Sequence, residues 1–185
     1  MHGANVESKT RVTDLEAVAR VAARLGARYE GRLDQLDTYF HVPRERLKLR
    51  EVSHRAPDGR VSMSCELIRY ERPDEGGARV SRYERNEIDD AEPCKARQVA
   101  EHGLRGCVRK QRELWILDST RVHLDRVEAL GDFVELETVS AGAPGAADRL
   151  EHDRLATAFR LDPRATVEGS YIDLLEQLAP AAHSR

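Results

Sequence analysis

Asn5, Glu7, Lys9 and Arg11 occupy alternate positions in ANVESKTRV, with Val6, Ser8 and Thr10 between them. In a strand alternate side chains share a face, so one face would carry an amide, a carboxylate and two cations. The pattern returns along the chain. Arg46, Lys48 and Arg50 alternate in RLKLREV, Arg69 and Glu71 in ELIRYER, and Arg82 and Glu84 in RVSRYER. Lys110 and Arg112 follow in VRKQREL, Arg121, His123 and Asp125 in RVHLD, and Glu135 and Glu137 in FVELET. Carboxylate and amide oxygens suit hard divalent cations, and the planar fork of arginine suits phosphate oxygens. Brought together, such faces would hold a polyphosphate with its metal.

A half-buried antiparallel sheet with its charged face in water explains the alternation equally and assumes less. Two details favour an enclosed face. Cations concentrate in the middle runs and carboxylates in the first and last, whereas solvated faces more often mix signs for cross-strand pairing. Arginine also outnumbers lysine at these positions. Like charges enclosed together cost on the order of several kcal/mol per unpaired ion, so an enclosed face implies a polyanion with its metal, or water. Arg109, Gln111 and Glu113 flank Lys110 and Arg112, so polarity alone does not orient that strand.

The elements that must position these residues are several short strands and a few helices. Thr13 is the expected N-cap of a helix over TDLEAVARVAARLGA, with Glu16 completing a capping box and Gly26 ending it. Strand-like runs follow at RYEGRLDQ, DTYFHV, RLKLREV, MSCELIRYER and RVSRYERNEI, with turn chemistry in HRAPDG and PDEGG. A second helix is expected at AEPCKARQVAEHGL, then strands CVRKQRELWIL, TRVHLDRVEAL and DFVELETVS, then helical runs in the tail. That order describes an antiparallel α+β layout. The 185 residues suit one domain, with a barrel over about 4–140 and C-terminal helices over about 145–180.

A net charge of −3 argues against a general nucleic-acid binder. Cys65, Cys94 and Cys107 lack C-x-x-C spacing, so neither a disulfide framework nor zinc is indicated. No signal peptide and no membrane span are expected, and a cytoplasmic location follows. No G-x-x-x-x-G-K-[ST] loop is present, which excludes phosphate binding by a P-loop. His123 shares a charged face, but a lone histidine is more often a hydrogen-bonded structural group.

NVESK is similar to the E-x-E-x-K opening of the CYTH family, the triphosphate tunnel metalloenzymes. DTYFHVPRERLKLRE, LIRYERPDE, VRKQRELWILDSTRVHLDRVEALGDFVELET and GSYIDLLEQL resemble its class IV adenylate cyclase-like branch, in order, from Asn5 to about Leu178. The resemblance implies an eight-stranded antiparallel β-barrel with flanking helices and a tunnel that binds triphosphates with Mg²⁺ or Mn²⁺. By position, Glu7, Glu135 and Glu137 match metal ligands, and Asp125 an acidic position for a second metal or its water. Lys9, Lys48, Arg50, Arg69, Arg82, Lys110, Arg112 and Arg121 match phosphate-binding cations, with Arg11 a weaker match near the mouth. Glu7, Lys9 and Asp125 are the implied catalytic residues. Asn5 stands where the motif has its first glutamate; its amide oxygen coordinates without adding negative charge.

The resemblance implies either hydrolysis of a triphosphate or cyclisation of ATP to cyclic AMP and pyrophosphate. Hydrolysis is slightly favoured, because cyclisation also needs a base pocket; Tyr39, Phe40 and Trp115 could stack on a base but fit packing roles better. A non-catalytic polyphosphate-binding module is the third reading, against which the retained carboxylates count. Inorganic triphosphate, ATP or thiamine triphosphate is the expected partner, with no nucleic acid or membrane; homodimerisation stays open. The helical run SYIDLLEQL is expected to pack on the outside of the barrel.

Overall fold

The computed structural model describes residues 2–43, 45–71, 79–140 and 142–178, with side chains throughout except at 2–4, 71 and 79–83. Eight strands form the sheet: β1 (His2–Arg11), β2 (Arg28–Phe40), β3 (Arg46–Arg55), β4 (Val61–Glu71), β5 (Arg79–Glu87), β6 (Leu104–Leu117), β7 (Thr120–Val127) and β8 (Gly131–Ser140). Every neighbour is antiparallel, and the pairing order β1-β5-β4-β3-β2-β6-β7-β8 returns to β1 to close a barrel. Closure leaves each strand one face inward and one outward. Helices α1 (Leu15–Arg24), α2 (Ala91–His102), α3 (Ala146–Ala158) and α4 (Tyr171–Leu178) flank it.

Two expected runs, RYEGRLDQ and DTYFHV, join in β2, because no turn-forming residue separates them. The break comes earlier, as a register shift between Tyr29 and Gly31, where Gly31 has φ +120°. Asp14 caps α1 in place of Thr13, its Oδ1 accepting the Ala17 N–H at 2.8 Å. The PDEGG turn lies outside the described residues. Among the described residues no helix is long and apolar enough to cross a membrane.

Apolar residues sort into three clusters that set the barrel's surroundings. Val122, Leu124, Val134 and Leu136 point outward from β7 and β8 and are covered by Leu15, Val18 and Ala22 of α1 and Leu155 of α3. Phe40, Leu47 and Leu49 meet Cys94 of α2. The third cluster joins Tyr39, Val108, Val127 and Phe133 of the barrel to Tyr171 and Ile172 of α4. With helices burying the outer faces of β7 and β8, their charged residues are left to face the interior.

Candidate active site

The inner face encloses a cavity of about 380 Å³. Glu7 and Lys9 reach it from β1, Lys48 and Arg50 from β3, Lys110 and Arg112 from β6, Arg121 from β7, and Glu135 and Glu137 from β8. The charged alternation is therefore turned inward, away from solvent.

The cations are organised by two buried aspartates. Asp37 of β2 lies opposite Arg50 in the ladder and accepts Arg50 Nε and Nη2, each at 2.7 Å, and Lys48 Nζ at 2.9 Å. Asp125 of β7 lies opposite Arg112 and accepts Arg112 Nε and Nη2, each at 2.6 Å, Lys110 Nζ at 3.4 Å and the Tyr171 hydroxyl at 2.8 Å. Each Lys-x-Arg pair thus surrounds one carboxylate. Burial alone would raise the Asp37 carboxyl, but Arg50 and Lys48 hold it well below its ordinary range. Asp125 is likewise held low by Arg112 and Lys110 against its burial. Both stay ionised, and two bidentate arginines stay fixed.

The lysines respond in the opposite sense. Burial and then Arg50 push the Lys48 ammonium down to about 7, with Asp37 opposing; burial and Arg112 push Lys110 down to about 8. Unfolded, such an amine titrates near ~10.4. Between those values the unfolded chain binds the extra proton, so Lys48 costs stability at pH 7 and below, and that cost is lifted as pH rises. Anion binding has the reverse sign, since the folded protein loses the Lys48 charge around pH 7 and the Lys110 charge around pH 8. Affinity for inorganic triphosphate, measured without metal by calorimetry, should fall roughly 10-fold from pH 6 to pH 9. Lys48→Arg should remove the lower-pH part of that fall and keep the part due to Lys110, and parallel profiles for the two proteins would remove Lys48 from the anion site.

The acidic wall is built on β1 and β8. Glu7 sits directly opposite Glu137, and Lys9 opposite Glu135. Glu135 lies 3.8 Å from Lys9 Nζ and 3.2 Å from Arg112 Nη2, and these two cations hold its carboxyl well below the usual range against its burial. Glu137 accepts Asn5 Nδ2 at 2.5 Å and Arg121 Nη1 at 3.3 Å, with His123 Nε2 at 3.7 Å. Burial and Arg112 push the His123 imidazole well below its ordinary value, so it is neutral at pH 7. Two glutamates opposite one another on paired strands repel, and the buried Oδ1 of Asn5 has no hydrogen-bond partner. Among the described residues no three His, Cys, Asp or Glu side chains close around one point. An all-oxygen set of two carboxylates and an amide still fits a cation such as Mg²⁺, which keeps waters and phosphate oxygens as its other ligands.

Arg69 is a correction to the sequence reading. Its Nη1 meets Glu45 Oε2 at 2.7 Å on the half-exposed outer side, while its neighbours Ile68 and Tyr70 line the cavity. Arg85 of β5, opposite Ile68, reaches the cavity and pairs with Glu66 at 2.5 Å. Both faces of β4 and β5 carry charge, so alternation could not choose between them. Arg82 lies opposite Ala4 and Glu71 in the ladders, and its side chain is outside the described residues. Arg11 turns away, donating to the Leu130 carbonyl at 2.5 Å and stacking on Phe133. Asp37 was missed, although Gln35, Asp37 and Tyr39 alternate on one face of β2. Tyr171 was missed too, and α4 reaches the inner cluster where external packing was expected.

The profile of the CYTH domain matches residues 3–153. The chain belongs to the CYTH domain family. Solved structures share its fold at low identity. The PH1012 protein of Pyrococcus horikoshii superposes with TM-score 0.77 at 23% identity, covering 92% of this chain and 98% of its own. A candidate adenylate cyclase of Vibrio parahaemolyticus gives TM-score 0.70 at 20% identity over 93% and 97% of the two chains. HpAC1 of Hippeastrum, a candidate adenylyl cyclase with a dominant triphosphatase activity, gives 0.58 at 17% over 94% and 95%. No curated protein matches the chain. In this CYTH barrel the family match ends within α3, so α4 and its Tyr171 lie beyond it.

Proposed function

We propose that this CYTH protein is a divalent-metal-dependent enzyme that processes a triphosphate inside the barrel, with hydrolysis the favoured reaction. The observation that carries this reading is the enclosure, in one cavity, of two Asp-centred Lys-x-Arg pairs facing a wall of Glu7, Glu135 and Glu137. Cations exceed carboxylates along that cavity, and the surplus suits a polyanion.

In this reading Glu7, Glu137 and Asn5 Oδ1 would hold Mg²⁺ or Mn²⁺, with Glu135 beside them. The bound cation would supply Lewis-acid neutralisation of phosphate oxygens. Arg50 and Arg112, held rigidly by their aspartates, orient the phosphate chain, and Lys9, Lys48, Lys110 and Arg121 offset its remaining charge. Positioning and charge stabilisation are most of what phosphoryl transfer requires. Asp125 acts in this reading by fixing Arg112 and Lys110, since three donors occupy its two oxygens. Hydrolysis would break the bridging P–O bond to the terminal phosphorus as a water oxygen attaches to it, releasing orthophosphate while the diphosphate portion leaves with the bridging oxygen and the water's proton passes to solvent.

Cyclisation of ATP is the second reading. Leu33, Ile68 and Leu114 line the same cavity and belong to none of the apolar clusters, so they offer an organic group a surface to cover. Incubation with inorganic triphosphate, ATP or thiamine triphosphate, each with Mg²⁺ or Mn²⁺, followed by phosphorus NMR, separates the readings. Orthophosphate supports hydrolysis, and cyclic AMP with pyrophosphate supports cyclisation. Saturable binding without turnover would leave a polyphosphate-binding module.

A further inference from the structure

α4 enters the barrel end with an aromatic side chain that reaches the charged cavity. Tyr171 is only 4% exposed, and its ring meets Phe133 edge-on at 5.1 Å. Its hydroxyl donates to Asp125 Oδ2 at 2.8 Å, beside Arg112. Two ammonium groups lie over the same ring, Lys9 Nζ at 4.2 Å and Lys110 Nζ at 4.9 Å from its centroid.

The segment before and after Tyr171 is fastened on several sides. Val167 N–H donates to the Lys9 carbonyl at 2.8 Å, and Thr166 bridges to Thr10. Asp173 accepts Arg46 at 2.9 Å and Arg105 at 2.6 Å. Ile172 packs where Gly106 has no side chain; a Cβ there would meet its Cδ1 at 2.8 Å. These contacts place the tyrosine ring in a definite position on the cavity wall.

Each lysine also has a carboxylate beside it, Glu135 at 3.8 Å from Lys9 and Asp125 at 3.4 Å from Lys110, and the aromatic face adds an attraction through its quadrupole without cancelling further charge. One ring thus contacts two lysines that both line the cavity, where an anion can meet them.

We propose that Tyr171 is a positioning residue of the anion site, its ring holding Lys9 and Lys110 toward the cavity while its hydroxyl steadies Asp125. The assignment rests on the reading that the cavity binds a polyphosphate. It makes the tail from Thr166 to Leu178 part of the binding site.

The test uses the full chain and inorganic triphosphate in chelator, read by calorimetry, with NMR of the lysine ε-methylenes. In the wild type the Lys9 and Lys110 ε-protons should be shifted upfield by the ring. Tyr171→Phe should keep that shift and bind within roughly threefold of wild type, because the ring face remains. Tyr171→Leu should lose the shift and bind roughly 10- to 100-fold more weakly. A folded Tyr171→Leu protein that binds like wild type would overturn the proposal while leaving the polyphosphate reading intact. So would weakened binding with unchanged lysine shifts, or a Phe variant as weak as the Leu variant. Should Tyr171→Leu not fold, absence of the upfield shift in wild type or in Tyr171→Phe overturns it equally. Failure of the wild type to bind inorganic triphosphate removes the polyphosphate reading and this proposal with it.

Discussion

Replacing Asp125 by alanine should lower the unfolding free energy by about 3–5 kcal/mol, the usual cost of stripping one partner from a buried ion pair. Asp125 has no solvent exposure and Arg112 is 6% exposed, so the cations left behind are poorly solvated. Three donors lose their acceptor together: the Arg112 guanidinium, the Lys110 ammonium and the Tyr171 hydroxyl. Glu135, 3.2 Å from Arg112 Nη2, can take part of the orphaned charge, which favours the lower end of the range. Inorganic triphosphate should restore part of the loss, because a ligand that binds only the folded state stabilises it. Urea denaturation with and without the anion measures both effects. A variant as stable as the parent would mean that Asp125 does not hold the cations in place.

Glu137→Ala should do the reverse, costing only about 1–3 kcal/mol of stability, for the buried Asn5 amide left without its acceptor, while cutting metal-dependent turnover at least about 100-fold. Loss of groups that only support a metal ligand already costs 10- to 100-fold, and a direct ligand should cost more. Glu137 is partly open to the cavity at 14%, and its partner Arg121 is 36% exposed, so the guanidinium left behind is solvated. Removing Glu137 also relieves its repulsion with Glu7 across the ladder. Metal-free binding of inorganic triphosphate should persist, since the aspartate-held arginines are untouched. Phosphate release measured against Mg²⁺ and Mn²⁺ concentration checks this, and full activity at ordinary metal levels would take Glu137 out of the ligand set. Two carboxylates on one barrel interior would thus differ in what their loss costs, according to whether a buried arginine or a metal ion depends on them.

The strands and their charged faces were legible because a strand repeats every two residues, and one buried face leaves a visible alternation. On β1, β3, β7 and β8 the opposite face is small or apolar over much of its length, and the inward residues were identified there; on β6 Arg109, Gln111 and Glu113 make both faces polar, and only the family resemblance pointed to Lys110 and Arg112. On β4 and β5 the rule failed at Arg69 and missed Arg85, because both faces are charged and neither pattern is distinctive. Asp37 was hidden for another reason. Its role comes from Lys48 and Arg50, which are distant in sequence and opposite it only through the β2–β3 register.

The sequence by itself determined the set of strands, the alternation of charge and the residue types suited to phosphate and a hard cation, since these depend on local spacing and side-chain chemistry. Only the tertiary structure decided which face turned inward, which aspartates anchor which cations, and that α4 brings Tyr171 to the cavity. Those outcomes depend on barrel closure and on helices covering the outer faces of β7 and β8, and contacts between residues far apart in the chain leave no periodic trace in it.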